Sequence, residues 1–106
     1  MDPVITARHC EISDDLRERA MTVLDRVGAV AARPMDTAVV FDEEAGRSTV
    51  ELRLHVAAGE LFVATAEGPD HRTALDRAED KLRTQVARAA GRMRDARHVP
   101  AVAKPA

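Results

Sequence analysis

From Asp70 to Arg97 the apolar residues Leu75, Ala78, Leu82, Val86, Ala89 and Met93 recur at steps of three and four. That spacing places them on one stripe of a long helix. Asp70, just after the breaking pair Gly68-Pro69, is suited to cap it. Upstream the period changes to two. Val50, Leu52, Leu54 and Val56 alternate with Thr49, Glu51, Arg53 and His55. A strand with one buried face in an antiparallel sheet has this pattern. Leu61 to Ala66 reads as the next strand, with Phe62, Ala64 and Ala66 toward the core, and Thr37 to Phe41 as the one before. Residues 43–47 form the first connection and Ala58-Gly59 the second.

Near the start, Val4-Ile5-Thr6-Ala7 has the β-branched content of a short strand. Ser13 is an N-cap candidate, with Asp14 and Asp15 in the first turn, where the helix dipole favours anions. Leu16, Ala20, Val23, Leu24 and Val27 supply a helical apolar face, and Gly28, with Pro34 beyond it, reads as the stop. The order is therefore β-α-β-β-β-α. It predicts an α+β fold, a four-stranded sheet with two helices packed on one face and the other face left to water or a partner. Residues 1–98 form one domain, and 99–106, rich in alanine and proline, read as a flexible C-terminal tail.

Charge alters this picture. The net charge is −2, which does not by itself suggest a nucleic-acid binder. Its distribution does. Between Asp36 and Glu60 six acids face two bases; between Arg72 and His98 eight bases face four acids. Arg77, Lys81, Arg88 and Arg92 fall on one side of the long helix, with Arg83, Arg94 and Arg97 close by. A solvated face with local ion pairs is the plain alternative, and Glu79 with Arg83 is one such i,i+4 pair. From Arg88 to Arg97, however, four guanidiniums meet Asp95 alone. Guanidinium suits phosphate oxygens through its planar fork, so the expected partner is an RNA backbone read by shape. Two phenylalanines, no tyrosine and no tryptophan leave little on which bases could stack.

The order of elements, with Ile5-Thr6-Ala7-Arg8, Glu11-Ile12-Ser13 leading to Leu16-Arg17-Glu18, Leu54-His55-Val56 with Gly59-Glu60, and the run from Ala64 to Asp70, resembles the ribosome hibernation promoting factor / ribosome-associated inhibitor family. Ala74-Leu75-Asp76 and Asp80-Lys81-Leu82, with Gln85 and Arg88, are the strongest stretch. The resemblance runs from Ile5 to about Arg94. It implies a fold like that of double-stranded-RNA-binding domains. It also implies binding to the small ribosomal subunit and its 16S-type rRNA, in the channel used by mRNA and tRNA, as a stoichiometric block on translation under stress. The chain reads as a short form or an isolated N-terminal domain. Carried over by position, the family's basic surface falls on Arg8, on Arg26 in the first helix, and on Lys81, Arg88, Arg92 and Arg94 in the second.

Other chemistry is sparse. His9, His55, His71 and His98 lack metal-site spacing and read as surface or capping residues. Cys10 reads as a bystander thiol, and Gly46, Gly59 and Gly68 as isolated turn glycines. No catalytic residue, metal, cofactor or small-molecule substrate is expected. With no signal peptide and no apolar run of membrane-spanning length, the expected location is the cytoplasm. Two other readings compete: a protein-interaction module using the acidic strands 36–60 or the open sheet face, and a general double-stranded-RNA binder.

Overall fold

In a computed structural model the backbone is described for residues 3–31, 34–57 and 59–102, and side chains within these as far as residue 91. The elements are β1 (Val4–Ala7), α1 (Asp14–Val30), β2 (Pro34–Glu44), β3 (Arg47–Val56), β4 (Leu61–Gly68) and α2 (His71–Val102). The strands lie in the order β1-β2-β3-β4. β3 runs antiparallel to both neighbours, whereas β1 pairs parallel with β2. The sheet is therefore mixed, because α1 crosses over between β1 and β2 and returns the chain in the same direction.

For β3, β4 and the two helices the predicted faces are the observed ones, as far as side chains are described. Pairing aligns Val39 with Leu52 and Ala64, and Phe41 with Val50 and Ala66, all on one side of the sheet. Against that side lie Ala20, Val23, Leu24 and Val27 of α1, and Ala74, Leu75, Ala78, Leu82, Val86 and Ala89 of α2, all within one buried cluster. The side chain of Met93 lies outside the described residues. The small side chains of Ala64 and Ala66 let α2 approach closely.

Several boundaries differ from the sequence reading. Gly28 does not stop α1. It is buried within the helix, which runs to Val30 and closes with the Ala31 N–H donating to the Gly28 carbonyl at 3.3 Å. The expected strand at Thr37–Phe41 extends to Pro34–Glu44. Glu43 and Glu44, read as part of the turn, instead pair with Ser48 and Arg47. Only Ala45 and Gly46 turn, with φ of 52° and 79°, the left-handed pair that suits a two-residue hairpin. β4 likewise runs two residues past Ala66. α2 continues as helix to Val102, past the expected start of the tail at Val99.

Both helix starts are capped as expected. Ser13 Oγ accepts from the Leu16 N–H at 3.1 Å, and Asp70 Oδ1 from the Thr73 N–H at 2.7 Å. The backbone N–H and hydroxyl of Thr73 hold the Asp70 carboxyl below its usual pKa. That contribution to stability is complete above the ordinary carboxylate value near pH ~4 and disappears as pH falls through the lowered native value. Asparagine keeps the cap acceptor but does not titrate. Asp70→Asn is therefore expected to leave neutral-pH stability nearly unchanged and to flatten the loss of stability on acidification. Urea midpoints measured across pH 2 to 7 check it.

Candidate nucleic-acid interface

β4 is an edge strand, so its outward carbonyls have no neighbouring strand to bond to. α2 supplies the donors. Arg77 Nη1 donates to the Glu67 carbonyl at 2.9 Å, Lys81 Nζ to that of Thr65 at 2.9 Å, and Gln85 Nε2 to that of Val63 at 2.8 Å. The helix advances about 6 Å over four residues and the strand about 6.6 Å over two, so the two antiparallel repeats stay in step. Breaking one rung is expected to have a modest cost. Gln85→Leu removes the partner of the Val63 carbonyl and should lower stability by about 0.5–1.5 kcal/mol, read from the urea midpoint.

These contacts place two of the predicted cations without neutralising them. A carbonyl carries no net charge, and each group spends only part of its capacity. Guanidinium has five N–H donors and ammonium three. Arg77, Lys81 and Arg88 are all exposed on this flank of α2. Among the described residues Arg88 has neither an ion pair nor a side-chain hydrogen bond, and Lys81, Gln85 and Arg88 share a shallow groove with Asp80 and Thr84. The flank is a basic strip along the edge of the sheet. The side chains of Arg92 and Arg94, also predicted for the site, lie outside the described residues.

The other two predicted residues are elsewhere. Arg26 faces α2 across the helix pair. Its Nε and Nη2 donate to the two Glu79 carboxylate oxygens at 2.9 and 2.8 Å. The Glu79 carboxylate holds the Arg26 guanidinium more firmly protonated than usual. Glu79, read from sequence as half of a surface i,i+4 pair, is buried at 6% exposure. Arg83 is its weaker partner, at 3.9 Å. One turn nearer the start of α2, Arg19 donates to Asp76 at 2.9 Å. Arg26 thus joins α1 to α2 and is not part of the basic strip. Arg8 follows β1, at the opposite edge of the sheet from β4, and its backbone N–H donates to the Phe41 carbonyl at 2.8 Å. Its side chain is exposed, with no ion pair among the described residues. The structure brings Arg77, Lys81 and Arg88 together and leaves Arg8 and Arg26 apart.

A second polar cluster surrounds Asp42. His9, at φ 55°, bonds through Nδ1 to Asp42 Oδ1 at 3.0 Å, and His71 Nε2 meets the Asp42 carbonyl at 2.8 Å. His71 also stands edge-on to Phe41, with centroids 5.6 Å apart. The bond from His9, then that from the Glu43 N–H, holds the Asp42 carboxyl below its usual pKa. Burial, with Asp42 and Glu43 nearby, pushes the Cys10 thiol up, away from the reactive thiolate. Among the described residues no three His, Cys, Asp or Glu side chains converge as a metal site, and no helix is long and apolar enough to cross a membrane.

The fold recurs in solved structures. A ribosomal subunit interface protein from Coxiella burnetii superposes with a TM-score of 0.73 at 21% identity, covering 85% of this chain and 99% of that one. The N-terminal domain of Thermus thermophilus Protein Y superposes with a TM-score of 0.69 at 28% identity, covering 80% and 93%. No curated protein sequence matches the chain. Residues 4–94 match the family described as Sigma 54 modulation protein / S30EA ribosomal protein. With that match spanning most of its length and the β-α-β-β-β-α fold in common with these structures, the chain belongs to this family, the ribosome hibernation family that its sequence resembles.

Proposed function

We propose that the protein binds the small ribosomal subunit through phosphates and sugars of its rRNA, and blocks translation under stress by occupying the channel used by mRNA and tRNA. It acts in the cytoplasm as a stoichiometric inhibitor, without catalysis, cofactor or small-molecule substrate. The basic flank of α2 carries the reading: Arg77 and Lys81 are held in place by uncharged carbonyls, and Arg88 is left exposed beside them. A rigid rod with fixed cations suits the regular phosphates of a folded RNA better than a flexible strand. The aromatic content supports the same choice. Phe41 and Phe62 are both buried in the core, so the surface offers no phenylalanine on which a base could stack. Family membership supports the ribosome as the source of that RNA.

Cosedimentation with purified small subunits over a range of salt tests the proposal. With about five phosphates contacted, log K should fall against log salt with a slope of roughly −3 to −5. A flat dependence excludes phosphate contacts as the source of affinity. Equal binding to naked duplex RNA would favour a general double-stranded-RNA binder. Binding to neither would favour a protein-interaction module.

A further inference from the structure

Both helices cover one face of the sheet; the opposite face is uncovered among the described residues and opposite in character to α2. Val4, Leu61 and Val63, at 56%, 54% and 37% exposure, project from it, and pairing sets Ala38 in the same row as Val4 and Val63. Among these apolar groups stand the carboxylates of Asp36, Asp42, Glu51 and Glu67 against the guanidiniums of Arg47 and Arg53. Both guanidiniums are engaged locally, Arg53 with Glu51 at 2.8 Å and Arg47 with Glu67 at 3.3 Å. Asp36 and Glu44 are exposed carboxylates of this face, and Asp36 borders the apolar groups. The Asp36 side chain is 73% exposed, and among the described residues its one ion-pair contact is the His55 ring at 3.7 Å. It lines a shallow depression with Ala38, Leu61, His55 and Arg53, the last turned to Glu51.

We infer that this face is a second docking surface, and that its occupant is a basic protein segment displayed by the small subunit. The inference rests on the ribosome reading above. With Arg53 engaged by Glu51, the Ala38 and Leu61 side chains beside the exposed Asp36 carboxylate fit a lysine or arginine side chain, whose methylene stem lies on apolar surface while its charged head reaches an anion. Charge decides among occupants. RNA phosphates would meet excess carboxylate. A second copy packed face to face would set like charges against each other. A basic protein segment is attracted on both counts, and its position leaves the α2 flank free for rRNA.

The test places a photoactivatable benzophenone side chain at Ala38, and separately at Arg88, in the full chain, then irradiates complexes with purified small subunits. Ala38 is expected to crosslink to a subunit protein and Arg88 to rRNA. A paired variant, Asp36→Lys with Glu51→Lys, makes the chain four units more positive. If phosphate attraction alone governed affinity, it would bind more tightly; here it is expected to bind about tenfold more weakly at fixed salt. Circular dichroism confirms that the variant is folded, and the crosslinks do not depend on it. Crosslinks from Ala38 to rRNA or to a second copy, no crosslink from Ala38 while Arg88 still reacts, or tighter binding of a folded paired variant would each overturn the inference. Failure of the unaltered chain to cosediment with small subunits at all would instead remove the ribosome reading, and this inference with it.

Discussion

Arg88→Glu combined with Arg92→Glu is expected to weaken binding to small subunits by about a hundredfold or more at moderate salt, with the urea midpoint unchanged. Hydrogen bonds to charged groups contribute about 1.5–3 kcal/mol each when fully formed, and two lost together reach that factor before any repulsion is added. Arg88 is exposed, with no partner among the described residues, so its reversal removes no observed internal contact. Arg92 follows one turn later in α2, on the same side by helical periodicity. Cosedimentation at two salt concentrations reads the effect. The variant should also show a shallower salt slope, because fewer counterions are released. Unchanged affinity would take the α2 flank out of the interface. Arg26 is a poor substitute for this experiment: reversing it sets a new carboxylate against buried Glu79, and any loss of binding would be mixed with a loss of stability.

The contrast between Arg88 and Arg26 marks how far the sequence could be read. Periodicity separated the buried and exposed positions of α2, β3 and β4, because burial repeats every 3.6 residues in a helix and every two in a strand. The core followed from that separation. The fate of each exposed cation did not. Arg26 and Glu79 are 53 residues apart, and their pairing depends on how α1 and α2 lie side by side, which no local pattern encodes. The anchoring of Arg77 and Lys81 was hidden for another reason: their acceptors are backbone carbonyls, and a carbonyl looks the same in every residue. The available signal was the repeat itself. Arg77, Lys81 and Gln85 are three donors at steps of four, opposite an edge strand whose outward carbonyls come at steps of two. Gly28 shows the converse limit. Glycine commonly ends a helix, but here its buried position within α1 outweighed its weak propensity.

Leu82→Ala is expected to cost about 2–5 kcal/mol, toward the upper part of that range. Leu82 is fully buried in the cluster that joins α2 to the sheet and α1. The cost of such a truncation depends on how far the surroundings can close the cavity. Here they are held on two sides. Lys81 and Gln85, flanking Leu82, are tied to the Thr65 and Val63 carbonyls of β4, while Glu79, one turn earlier, is tied by two hydrogen bonds to Arg26 of α1. To sink into the cavity, α2 would have to stretch or break contacts to both neighbours, so most of the void should persist. Urea unfolding should show a lower midpoint with an unchanged slope, since the surface exposed on unfolding is nearly the same. A change below about 1 kcal/mol would mean that α2 shifts freely over the sheet. The carbonyl ladder would then be too weak to fix Arg77 and Lys81, and the α2 flank could not present the rigid row of cations that the proposed RNA contact requires.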